Sequence, residues 1–127
     1  MPAVLTRPAD TRRSQTPNAV MTTLSSPTLT NAGELCVWRV EMTAGQEGPV
    51  HAFDAEQVWL VVAGQPTIEV DGDLFTLATG DALQIPALAA RQVRAGDGAT
   101  FVVCSRAGSQ VVAGTADGEP VTPPWVA

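Results

Sequence analysis

From Gly33 onward the chain is a succession of short apolar runs, each of strand length, separated by glycine- and proline-bearing breaks at fairly regular spacing. A run that short cannot hide an apolar face by itself, so such a succession folds as a β-sandwich or barrel whose strands share one core. There is no internal repeat, no glycine-rich phosphate loop leading into a helix, no Gly-x-Ser-x-Gly elbow and no heptad pattern. Nucleotide-binding α/β folds, nucleophile-elbow hydrolases and coiled coils are thereby excluded. At 127 residues, 45% of them hydrophobic and 16% charged, the chain suits one domain with a real core.

The first run, Leu35 to Thr43, alternates Cys36, Trp38, Val40 and Met42 against Leu35, Val37, Arg39 and Glu41. One face is wholly apolar and should point inward. Further strands are expected at Val50 to Phe53, Gln57 to Ala63, Thr67 to Val70, Leu74 to Leu77, Ala82 to Ile85, Arg91 to Arg94 and Thr100 to Ser105. Asp71-Gly72-Asp73 between two such runs signals a tight hairpin, with a meander following. Residues 1–32 are rich in Thr, Ser, Pro, Arg and Ala and read as an extended arm, with a short strand at residues 19–24 left open. Residues 33–113 form the barrel, and residues 114–127 read as an irregular tail with Trp125 as an anchor.

A net charge of −6 argues against a nucleic-acid partner, because phosphate-backbone binding needs a cationic groove. No segment reaches the roughly eighteen apolar residues of a membrane span, and the start lacks a signal-peptide core, so a cytoplasmic protein without membrane contact is expected. Cys36 and Cys104 sit in apolar runs and are expected as buried free thiols.

The stretch Gly45, His51, Phe53, Gln57, Gly64 resembles the first conserved motif of the cupin superfamily, a glycine, His-x-His, a glutamate and a closing glycine at set spacing. Gly80, Asp81 and Pro86 are similar to the second motif, with Leu88, Arg91 and Ala95 where glycine, histidine and asparagine are usual. The resemblance covers about residues 33–107. It implies an all-β, cupin-type jelly-roll barrel in a single domain. In metal-binding members two histidines, a glutamate and a third histidine hold the ion; here only His51 survives, beside Phe53, Gln57 and Arg91. A phenyl ring gives no lone pair, an amide oxygen is a poor ligand and a guanidinium is a permanent cation, so no metal and no other cofactor is expected. Glu47, Asp54 and Glu56 are the nearby carboxylates a relocated ion could recruit.

The candidate catalytic residues are His51 and Arg91. His51 serves as general acid or base, or persists as a relic held by a backbone carbonyl. A buried Arg91 needs an anion, either a ligand carboxylate, phosphate or enolate, or a protein partner among Glu56, Asp81 and Asp97. Arg94, of opposite parity, reads as a surface charge. Counting by twos from Gln57 puts Trp59 and Val61 on one face, with Trp38 and Met42 on the facing sheet. Phe53, Gln57, Trp59, Trp38 and Met42 are then candidate substrate-binding residues, or else ordinary core.

The function expected is a metal-independent enzyme that cyclises or isomerises a small, largely apolar molecule. Small stand-alone cupins include polyketide cyclases, which makes natural-product tailoring a setting by analogy. The alternative is a barrel that binds or senses a small molecule without turning it over; a metal-dependent oxygenase ranks third. The cupin epimerases that work through histidine and tyrosine offer no template, since this chain has no tyrosine. The fold also implies a homodimer, with the N-terminal segment crossing to the second subunit.

Overall fold

A computed structural model describes residues 2–127. In chain order the strands are β1 (Arg12–Gln15), β2 (Val20–Ser25), β3 (Leu35–Met42), β4 (Ala52–Phe53), β5 (Gln57–Gly64), β6 (Thr67–Val70), β7 (Asp73–Thr76), β8 (Ala82–Ile85), β9 (Arg91–Arg94), β10 (Ala99–Arg106) and β11 (Val111–Ala113). A single helical turn, α1 (Pro27–Thr30), is capped by the Ser26 hydroxyl, which accepts from the Leu29 N–H.

Six strands form one antiparallel sheet in the order β1-β2-β3-β10-β5-β8. Opposite it lie β7-β6-β9 and the pair β11-β4, joined by bridges between His51 and Arg91 and between Glu47 and Arg94. Two such layers with strands passing between them make a jelly roll. Cys36, Trp38, Val40 and Met42 are buried as the alternation of β3 requires. The Asp71-Gly72 turn joins β6 to β7 with both residues at positive φ, which matches the right-handed twist of the strands it links.

Three expectations need correction. After the hairpin the chain does not continue as a meander: β8 crosses to pair with β5, and β9 returns to pair with β6. The crossing places Ile85 opposite Gln57 and Leu83 opposite Trp59, so β8 adds its inward side chains to the large sheet. Trp38 and Met42 do not face Trp59 from another sheet. Strands β3 and β5 flank β10 in one sheet, and Val103 pairs with both Trp38 and Trp59. The strand expected to be last is followed by β11, short enough to escape a pattern search.

The N-terminal segment pairs within its own chain, β1 on β2 and β2 on β3. Cys36 is buried and Cys104 half-buried, both as free thiols. They lie on opposite faces, since Cys104 pairs with Val37 while Ser105 pairs with Cys36. Burial pushes the Cys36 thiol up to about 11, which keeps it protonated and inert.

Candidate functional site

Between the layers lies a cavity of about 340 Å³. The large sheet contributes Trp38, Val40, Met42 and Trp59; the opposite layer contributes His51, Phe53, Val93 and Val111. Thr16, Asn18 and Ala19 close one side from the β1–β2 turn, and Thr115, Pro123 and Trp125 close another from the C-terminal segment. All three tryptophans of the chain therefore face one space. Among the described residues His51 is the sole ionisable side chain in the lining.

His51 is held by its own backbone, which exchanges hydrogen bonds with Arg91 at 3.1 and 2.9 Å. Its Nδ1 is buried and has no hydrogen-bond partner among the described residues. The ring meets Phe53 edge-on, with centroids 5.3 Å apart at 69°. Desolvation, followed by the nearby charge of Arg91, pushes the His51 pKa down to about 4, so the imidazole is neutral at neutral pH.

Arg91 is buried, 1% exposed, and does not line the cavity. It lies behind Phe53, its guanidinium carbon 5.5 Å from the ring centroid. Nε and Nη2 donate to the Ala89 carbonyl at 3.0 and 2.9 Å, Nη2 also reaches the Pro86 carbonyl at 3.4 Å, and Nη1 donates to Gln57 Oε1 at 3.0 Å. None of Glu56, Asp81 or Asp97 forms an ion pair with it, and its guanidinium is bonded to protein oxygens outside the cavity lining. Three acceptor oxygens take the place of a carboxylate. Burial pushes its pKa down to about 10, against which the Asp71 carboxylate acts, and it stays charged at neutral pH.

Leu88 makes that cradle. At φ +69° it occupies the left-handed region in which the related motif carries glycine, and its N–H bonds the Phe53 carbonyl at 2.8 Å. The turn it forms directs the Pro86 and Ala89 carbonyls at the guanidinium.

Gln57 is fully buried, and its Oε1 accepts from both Arg91 and Trp59 Nε1, the latter at 2.9 Å, so the amide fixes the indole. It lies behind the wall with Arg91. The candidates thus separate: His51, Phe53, Trp59, Trp38 and Met42 share the cavity, whereas Gln57 and Arg91 support it from outside. Arg94 is half-buried and pairs with Glu47 at 3.5 Å and Glu69 at 3.8 Å. The lining from the β1–β2 turn and from residues 114–116 was not visible in the sequence; the lone Trp125 in a polar tail was its one signal.

The chain matches a family model described as a cupin domain over residues 38–105, and it belongs to the cupin family. Similar solved structures include an RmlC-like cupin from Shewanella frigidimarina, 22% identical, TM-score 0.71, covering 80% of this chain and 88% of that one. KdgF from a Halomonas species is 17% identical, TM-score 0.71, covering 83% and 94%. Oxalate decarboxylase from Bacillus subtilis is 16% identical, TM-score 0.69, covering 79% of this chain and 28% of that one. Likeness at this identity establishes the fold. Among curated proteins none matches the sequence.

The metal centre implied by the family's motif does not fit these residues. Phe53 has no donor, Gln57 Oε1 is occupied by two N–H groups, and Arg91 puts a cation at the remaining position. Among the described residues no group of three or more His, Cys, Asp or Glu side chains could hold an ion. Glu47 pairs with Arg94 and Asp54 with Arg106, at 3.1 Å, while Glu56 accepts from Gln84 Nε2. No helix among the described residues is long and apolar enough to cross a membrane.

Proposed function

We propose that this cupin works without a metal and takes up one small, uncharged, largely apolar organic molecule between its sheets. The observation that carries this is the lining: mostly tryptophan, phenylalanine, valine and methionine side chains around a single neutral imidazole, with uncharged Thr16, Asn18 and Thr115 as the other polar side chains. A carboxylate or phosphate would lose its hydration and meet no counter-ion there, because the donors of Arg91 are turned to the protein's own oxygens. An apolar molecule with one carbonyl or hydroxyl would lose little, since His51 offers it one donor or acceptor. Titration with N-phenyl-1-naphthylamine, a neutral dye that fluoresces in apolar surroundings, tests the reading. One-site binding is expected, abolished by filling the space with Val40→Trp; a wild-type protein that leaves the dye dark contradicts it.

Cyclisation or isomerisation of such a molecule is the second reading, favoured by the free-base state of His51, which can take a proton from one atom of the guest and return it to another. The cation expected to stabilise developing charge is walled off by Phe53, which is why binding ranks first. Once a ligand is known, His51→Ala separates the two. A receptor keeps its affinity to within about tenfold, whereas an acid/base catalyst loses on the order of a hundredfold or more in turnover.

We also propose that the protein pairs with a second copy through the outer face of the large sheet. Val58, Leu60 and Val62 are 41%, 38% and 42% exposed there, beside Val37 and Val102 on neighbouring strands. Strands about 4.8 Å apart and roughly 20 Å long give six of them a face on the order of 600 Å². That approaches the about 800 Å² per partner of an ordinary stable interface, and a two-fold axis would pair the patch with itself. Light scattering should give a dimer at micromolar concentration and a monomer for Leu60→Glu; a wild-type monomer contradicts the pairing.

A further inference from the structure

Part of the cavity wall is chain lying outside residues 38–105, the stretch that matches the family. The C-terminal strap, residues 114–127, forms one side of the cavity and is stitched to the N-terminal hairpin. Arg12 on β1 provides two of the four bonds. Its Nη2 donates to the carbonyl oxygens of Pro124 and Ala127 at 2.8 and 2.6 Å, and its Nη1 to Thr28 Oγ1 at 2.6 Å. Thr28 Oγ1 in turn donates to the Ala127 oxygen at 2.8 Å. One further bond comes from buried Thr23, whose hydroxyl donates to the Trp125 carbonyl at 2.9 Å. Between these bonds and the bridge of Val121 to Val111, the strap presents Pro123, Pro124 and Trp125 to the cavity.

We propose that Arg12 is a positioning residue for the cavity: it latches the strap that forms one wall, and loosening that latch speeds the guest's departure. The inference rests on the cavity being a ligand site. Arg12 is not itself in the lining and meets it only at the Pro124 carbonyl, so its effect passes through the strap backbone. A guanidinium suits the task because its fork reaches two carbonyls and a hydroxyl at once, and hydrogen bonds to a charged donor are the stronger kind. The strap's other attachments are two backbone bonds at Val121, the bond from Gln110 Nε2 to Thr122 Oγ1 at 3.2 Å, the Thr23 and Thr28 bonds, and the buried side chain of Val126. Without the Arg12 bonds those contacts alone hold the strap, and its local opening then costs less while the rest of the fold stays closed.

Stopped-flow release of N-phenyl-1-naphthylamine, together with amide exchange of the whole chain, tests this. Arg12→Ala should speed dye release about tenfold and speed exchange at Val126 and Ala127 alike, leaving the Trp59 and Val103 amides unchanged. Arg12→Lys should fall between, since an ammonium still donates to carbonyls. Thr23→Val, which keeps the shape and deletes one strap bond, decides the matter if Arg12→Ala fails to fold. Wild-type release and exchange in both variants overturns the latch alone, while a dye that never binds the wild-type protein overturns the cavity reading.

Discussion

Arg91 Nη1 lies 3.0 Å from Gln57 Oε1, so the positions where a metal-binding relative carries its last histidine and its glutamate are bonded to each other. The bond explains the rest of the inner shell. It places the guanidinium against the Ala89 and Pro86 carbonyls, leaves Gln57 Oε1 to hold the Trp59 indole, and puts Phe53 between charge and cavity. Arg91 thereby shapes the pocket without entering it.

Removing that side chain should be costly for stability. Arg91→Ala leaves the carbonyls of Ala89 and Pro86 and the amide oxygen of Gln57 short of donors and opens a void, for a loss of about 3 kcal/mol. Urea denaturation checks this. Arg91→Lys should recover part of the loss, because one ammonium cannot reproduce the fork.

His51 makes the protein less stable as the solution is acidified. Its pKa in the folded chain, about 4, lies below the ordinary 6.5, so between those values the unfolded chain binds more protons. Stability should therefore fall as pH drops from 6.5 to 4 and level off, as far as this group is concerned, below 4. The full difference is on the order of 3 kcal/mol. His51→Gln should lack this component when the two proteins are compared across the window. As the only histidine, its ring protons give one NMR titration curve with an expected midpoint near 4, moving upward in Arg91→Lys only if the charge moves away.

Leu88 is the position at which a substitution should help. A leucine at φ +69° with 68% of its surface exposed has strain and little packing to offset it. Leu88→Gly should stabilise the fold by about 0.5–1 kcal/mol, read from the denaturation midpoint at unchanged slope.

The fold was legible because its signals are local. Alternation in β3 told inside from outside, Asp71-Gly72 fixed a hairpin, and the half-motifs around His51 and Pro86 named the barrel. The exchange of β8 to the other sheet was not, since pairing partners distant in sequence leave no mark on a strand's own pattern. The site was half legible. Parity placed Trp59 on an inward face and Trp38 and Met42 on another, and the motif positions added Phe53 and Arg91, but neither signal says whether the Arg91 head meets a cavity or a loop. That depended on the Pro86–Ala89 turn, whose left-handed leucine contradicts residue preference. The strap and β1 were hidden by polar composition: β1 is held by its backbone ladder to β2 and the strap by side-chain bonds to its carbonyls around one buried valine, none of which leaves a periodic apolar pattern.

The most direct test is a competition between methyl 2-naphthyl ketone and 2-naphthoate, molecules of nearly one shape that differ in charge. The indole N–H signals of Trp38, Trp59 and Trp125 report occupancy of the space they share. The ketone should move all three signals and bind about tenfold or more tighter than the carboxylate at neutral pH. Tighter binding of the carboxylate would put a cation inside the cavity and contradict the account.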